Sequence, residues 1–149
     1  MDSADSASAS HLGHVHLKVR DLDRAVGFYE AVLGLSVSER QGNFAFLSFG
    51  EHHHDLALQA LGSHAAPPGR GVGLYHAAWE VPDAAALRGV YETLRERGVR
   101  VSPVDHGISK ALYFSDPDGN GVEVYLDTRA ENEREEWRGE TAPFDPTAL

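Results

Sequence analysis

The alternation of apolar and polar positions along the chain occurs twice in the same form. Near the start, Val15, Leu17 and Val19 alternate with His14, His16 and Lys18, the period-two pattern of a strand with one buried face. Asp21 follows as a helix N-cap, and Leu22, Val26, Tyr29 and Leu33 then form one helical stripe that stops at Gly34. Further on, Ala77, Trp79 and Val81 alternate with His76, Ala78 and Glu80. Asp83 caps a second stripe of Leu87, Val90 and Leu94, which stops at Gly98. His14 and His76, Val19 and Val81, and Asp21 and Asp83 are each separated by 62 residues. Three pairs in one register predict a duplicated module.

Short strand patterns follow each helix, at 35–39, 44–49 and 55–60 in the first module and at 99–103, 110–115 and 122–126 in the second. Between the last two, the run from Asp116 through Pro117, Asp118 and Gly119 to Asn120 is hairpin-turn chemistry, with Gly and Asn able to take positive φ. The chain therefore reads as α+β, with two tandem βαβββ modules at 11–62 and 74–127 in one domain. The linker at 63–73 holds Pro67, Pro68 and three glycines. Residues 1–10 are low-complexity, without an apolar leader segment, and predict a disordered tail. The polar, acidic stretch at 128–149 is either an arm wrapping around Trp137 or a loose tail.

Composition narrows the chemistry. The 149 residues include no cysteine, so thiolate metal sites, iron–sulfur clusters and a cysteine nucleophile are excluded. The formal net charge of −10 offers no basic stripe, which argues against nucleic acid as a partner. No apolar run approaches the roughly 20 residues of a membrane helix, and cytoplasm is the default location. There are nine histidines. His14 and His76 hold equivalent positions on the first strands of the two modules, and a pseudo-twofold pairing would make them face each other across one cavity. Glu123 alternates with Val122 and Val124 on the last strand and adds a carboxylate. Two imidazoles and one carboxylate make a facial metal triad with open positions. His16 shares the face of His14 but breaks the repeat.

These motifs carry a resemblance. His14, Val19, Asp21 and Leu22, then Phe28-Tyr29 and Leu33-Gly34, then Asp116-Pro-Asp-Gly-Asn120 and Glu123, resemble the vicinal-oxygen-chelate superfamily of glyoxalases, bleomycin-resistance proteins and extradiol dioxygenases. The resemblance covers residues 12–127 and implies a half-open barrel built from the two modules. His54-Asp55-Leu56-Ala57 resembles the strand of extradiol ring-cleaving enzymes that carries their acid–base histidine. Asp105-His106-Gly107-Ile108-Ser109 and Tyr113 resemble their supporting histidine and active-site tyrosine. Taken singly, each has an ordinary explanation: a solvated turn for His52 to His54, a loop for His106, strand packing for Tyr113.

The resemblance implies an Fe(II)-dependent extradiol dioxygenase, with Mn(II) able to serve in the same ligand set. It would act on a catechol-like aromatic and O2, with His54, His106 and Tyr113 in catalysis. Catechol dioxygenases of this type carry two such module pairs and this chain has one, so a homodimer is expected. Lyases of the superfamily add a fourth ligand near the positions of Leu56 and Ala57, neither of which binds metal. A non-oxidative isomerase, lyase or thiol transferase, and a drug-binding resistance protein, are the alternatives.

Overall fold

The computed structural model describes residues 7–149, so positions 1–6 of the expected tail lie outside the described residues. Ala7 to Ser10 are exposed and outside any regular element. The first module comprises β1 (Val15–Val19), α1 (Leu22–Leu33), β2 (Ser36–Gln41), β3 (Phe44–Ser48) and β4 (Leu56–Ala60). The second comprises β5 (Ala77–Glu80), α2 (Ala84–Glu96), β6 (Ser102–Asp105), β7 (Ser109–Ser115) and β8 (Gly121–Asp127). Both are βαβββ units, as the pattern predicts.

Local chemistry sets the boundaries. Asp21 accepts from the Arg24 amide and Asp83 from the Ala86 amide, each satisfying an orphan helix N–H. Gly34 closes α1 in the left-handed region at φ 74°, where a Cβ would be strained. β6 begins at Ser102 rather than at 99. The Val99 amide is still bonded to the Leu94 carbonyl, so 99–101 serve as the exit from α2.

Each module makes one sheet, in the order β1-β4-β3-β2 and β5-β8-β7-β6-β9. β9 (Ala142–Pro143) comes from the C-terminal segment and pairs antiparallel with β6. After it, Pro146 is buried and the Arg88 guanidinium donates to the Leu149 carbonyl, seating the chain end against α2. Leu17, Val19, Leu47, Leu56 and Leu58 of the first sheet join Leu112, Phe114, Val122 and Val124 of the second in one hydrophobic cluster with both helices.

α1 is the shared element. It rests on β3 and β4 of its own sheet, while Phe28 packs on Phe114 of β7, ring centroids 6.2 Å apart. This two-sided cover explains why α1 buries Ala25, Val26, Phe28, Tyr29 and Val32, a wider band than the predicted stripe, whereas α2 fully buries only Leu87 and Leu94. The β7–β8 turn is lodged against the end of β1 and the start of α1. Tyr29 donates to Asp116 at 2.8 Å, and Asp118 accepts from the Arg24 side chain at 2.8 Å and the Arg20 side chain at 3.2 Å. Gly119 takes the positive φ, whereas Asn120 uses its side chain to donate to the Lys18 carbonyl and to Asp116.

The buried Tyr29–Asp116 bond gives a test. Burial, and then the Asp116 carboxylate, hold the phenol far above its ordinary range, so it remains a donor at any working pH. Tyr29→Phe leaves a buried acceptor short of its partner and should cost about 1–3 kcal/mol. A urea titration should show a lower midpoint with an unchanged slope.

Candidate active site

The faces turned away from the hydrophobic cluster carry the polar chemistry. On the first sheet the face of His14 and His16 continues, through the register of β1, β4 and β3, to Ala57, Gln59, Phe44 and Phe46. On the second sheet His76 and Ala78 share a face with Glu123 and Tyr113, which stand directly opposite each other on β8 and β7.

His54 ends the turn before β4 and meets His14, ring centroids 4.4 Å apart, with Phe46 at 5.0 Å. The turn is pinned: the Asp55 amide donates to the Leu47 carbonyl, and the Asp55 carboxylate accepts from the Phe49 amide. Desolvation, followed by the neighbouring His14, lowers the His54 pKa below that of a free imidazole. Its tautomer follows from a chain of contacts. Glu39 can only accept, so His53 Nε2 donates to it at 2.9 Å. In the neutral form of His53, Nδ1 is then an acceptor and His54 Nδ1 donates to it at 2.9 Å, an arrangement that leaves the lone pair of His54 on Nε2.

On the second sheet His76 Nε2 lies 2.9 Å from Glu123 Oε2. Tyr113 stands beside them, its ring centroid 5.6 Å from that of His76. Burial and the Glu123 carboxylate push the Tyr113 phenol up to about 12, so it is protonated at neutral pH. His106 Nδ1 lies 3.1 Å from the Glu140 carbonyl, which can only accept, so Nδ1 carries the proton and Nε2 accepts from the Tyr113 hydroxyl at 2.8 Å. The C-terminal segment fixes that carbonyl: Trp137 Nε1 donates to it at 2.9 Å, and the Glu140 side chain pairs with Arg134 at 2.7 Å. Glu39, His53 and Glu140 were not singled out from the sequence. The last acts through its backbone, so no residue type could have signalled it.

The structure does not bring His14 to His76 and Glu123. Among the described residues no three His, Asp or Glu side chains converge as a metal site. The reason lies in the seating of the β7–β8 turn. Gly121 packs on the Tyr75 carbonyl so closely that a Cβ has no room, which ties the start of β8 to His76. The same turn bonds to Lys18 and Arg20 at the far end of β1. His14 is four residues back from Lys18, or about 13 Å along a strand. Nitrogen ligands of one ion stand at most ~4 Å apart. His76 and Glu123 suit two positions on a divalent ion, but among the described residues one chain does not add His14 to them. The main cleft, about 1060 Å³, is lined instead by His16, His76, Tyr113 and the linker prolines Pro67 and Pro68. Of the positions where a fourth ligand would be sought, Leu56 and Ala57 are buried, Gln59 bonds to His16, and the Asp55 carboxylate accepts from the Phe49 amide.

Residues 11–124 match the profile of the Glyoxalase/Bleomycin resistance protein/Dioxygenase superfamily. The chain belongs to this superfamily. It is 39% identical over 119 residues to the catechol-2,3-dioxygenase of Bacillus subtilis (strain 168), spanning 79% of this chain and 42% of that protein. It is 35% identical over 156 residues to biphenyl-2,3-diol 1,2-dioxygenase 3 of Rhodococcus globerulus, spanning 93% of this chain and 79% of that protein. A probable lactoylglutathione lyase of Synechocystis is 27% identical over 74% of this chain and 91% of its own length. Among solved structures, a glyoxylase/bleomycin resistance protein/dioxygenase domain from Frankia sp. EAN1pec superposes with a TM-score of 0.69 at 26% identity, covering 80% of this chain and 99% of that one.

The two histidine assignments are directly measurable. At neutral pH, long-range ¹H–¹⁵N spectra should show both His54 and His106 protonated at Nδ1, and His53→Phe should release the His54 preference while leaving His106 unchanged. Protonation of His106 at Nε2 would contradict the contact with Glu140.

Proposed function

We propose that this superfamily member is a metal-dependent extradiol-type dioxygenase that cleaves a catechol-like aromatic diol with O2, using Fe(II) or Mn(II). The observation that carries the reading is the Tyr113–His106 hydrogen bond, set beside His76 and Glu123 on the face of the second sheet. The names of the most similar relatives point the same way: the Bacillus and Rhodococcus proteins are dioxygenases of catechol and of a biphenyl diol, and a manganese-dependent dihydroxybiphenyl dioxygenase of Geobacillus is 29% identical.

His14, His76 and Glu123 are the proposed metal ligands, and the metal would supply the site at which the diol and O2 meet. The remaining groups handle protons and orientation. His54, with its lone pair on Nε2, accepts a diol proton and returns it later as a general acid. Tyr113 donates a hydrogen bond to a substrate oxygen, and His106 holds the phenol in place by accepting its hydroxyl proton in the free enzyme. No helix among the described residues is long and apolar enough to cross a membrane. We take the protein to act in the cytoplasm as a homodimer. A non-oxidative lyase or thiol transferase is the second reading, supported by the weaker likeness to the Synechocystis lyase and to a glutathione transferase of Serratia marcescens at 26% identity. The apolar Leu56 and Ala57, where a fourth ligand would be sought, count against it.

Oxygen uptake by Fe(II)- or Mn(II)-loaded protein with a panel of catechols, read alongside the yellow ring-opened product, tests the proposal. His54→Phe should lower the rate by roughly 10²–10⁴-fold, the usual worth of general acid–base help, with the metal retained. Metal-loaded protein that consumes no O2 with any catechol would transfer the proposal to the non-oxidative reading.

A further inference from the structure

We propose that the main cleft selects an anion, and that the aromatic diol cleaved by this protein carries a carboxylate on a short side arm. The diol rests on the function proposed above, whereas the charge rests on the cleft alone.

The basic residues divide by what they touch. Among the described residues most arginines are held in ion pairs with Asp or Glu. Arg95, Arg97 and Lys110 lie over the rings of Tyr91, Phe28 and Phe144, each within 5.9 Å of the ring centre. Lys18, Arg70 and Arg100 have neither kind of partner among the described residues, and all of them line the cleft of about 1060 Å³. They reach it from separate parts of the chain. Lys18 belongs to β1, Arg70 to the linker, and Arg100 to the exit from α2, just ahead of Ser102 on β6. Ser102 stands opposite Tyr113 in the register of β6 and β7. Like charges gathered around one cleft repel one another, and an anion among them relieves the repulsion.

The carboxylates do not offset this charge. Asp118 is the one acidic residue among the cleft's described lining, and it already accepts from Arg20 and Arg24. The cleft is therefore locally positive in a chain of formal net charge −10. Exposed charges farther away than a Debye length, roughly 8 Å at physiological salt, are largely screened, so the lining governs a bound ion. A cleft of one sign between apolar walls concentrates small ligands of the opposite sign. A polyanion would instead meet the repulsion of the whole acidic surface.

The remaining lining gives the ligand its other features. Leu61, Pro67, Pro68, Leu74 and Tyr75 supply apolar surface, with the Tyr75 ring 5.2 Å from that of His76 between centroids. His76 and Tyr113 line the same cleft, so one ligand can touch both the unpaired cations and the reacting residues. A flat ring bearing a diol and a carboxylate meets all of these groups.

Equilibrium binding separates the charge from the chemistry. Phenylacetate and phenylacetamide share one ring and nearly one shape, and neither has vicinal hydroxyls to be cleaved. Calorimetry on the wild-type protein should give phenylacetate a dissociation constant about tenfold lower, the combined worth of a few exposed ion pairs. Raising NaCl from about 0.05 M to about 0.5 M should remove most of that difference. Replacing Lys18, Arg70 and Arg100 together by Gln should abolish the preference. Arg95→Gln removes a charge outside the cleft and should leave it intact. Equal affinities in the wild type, or a preference that survives the triple substitution, overturn the proposal. In turnover, the metal-loaded enzyme should favour 3,4-dihydroxyphenylacetate over its primary amide in kcat/KM by a similar factor, with the difference in KM. Equal kcat/KM for the two diols overturns the carboxylated substrate. Preferential binding of phenylacetate with no O2 uptake on either diol upholds the anion site and removes the dioxygenase reading instead.

Discussion

The seating of one hairpin turn governs the rest of the molecule. Asp116 and Asp118, both buried at the β7–β8 turn, take the Tyr29 hydroxyl and the two guanidinium groups of Arg20 and Arg24. Removing one partner of such a buried pair leaves an uncompensated charge, so these contacts specify a single packing more than they add stability. With the turn held there, α1 must lie between the modules and Phe28 must pack on Phe114. The start of β5 comes beside the end of β1, and His14 is left at the opposite end of its strand from His76.

The same constraint organises the chemistry. Each half of the site is internally prepared: Glu39 and His53 set the tautomer of His54, and Glu140 sets that of His106. Pre-set tautomers matter because a proton acceptor with its lone pair already directed outward needs no rearrangement when substrate arrives. The C-terminal segment therefore has a positioning role. β9 pairs with β6, and Trp137 and Arg134 hold the carbonyl on which the Tyr113–His106 bond depends.

Much of this was legible in the sequence, and the limit has a physical cause. Alternation and capping residues located both modules, because period and N-cap chemistry are local properties that survive without tertiary context. The pattern places β6 three residues early because Val99 and Val101 alternate like a strand while serving as the exit from α2. The repeat pairs His14 with His76, and each stands one residue before the first strand of its module. It did not reveal on which side of the core each would lie, since an internal twofold leaves open whether equivalent faces meet within a chain or between chains. His54, His106 and Tyr113 were named from the resemblance to ring-cleaving dioxygenases. Glu39, His53 and the Glu140 carbonyl act across strands or through the backbone, where no spacing rule reports them.

The proposed chemistry depends on a divalent ion held at His76 and Glu123 beside the Tyr113–His106 pair. Paramagnetic broadening by substoichiometric Mn(II) tests this directly in the wild-type protein. Resonances of His76, Glu123, Tyr113 and His106 should broaden first, ahead of those on the exposed face of α2. Mn(II) that leaves these four sharp while the protein is folded would contradict it.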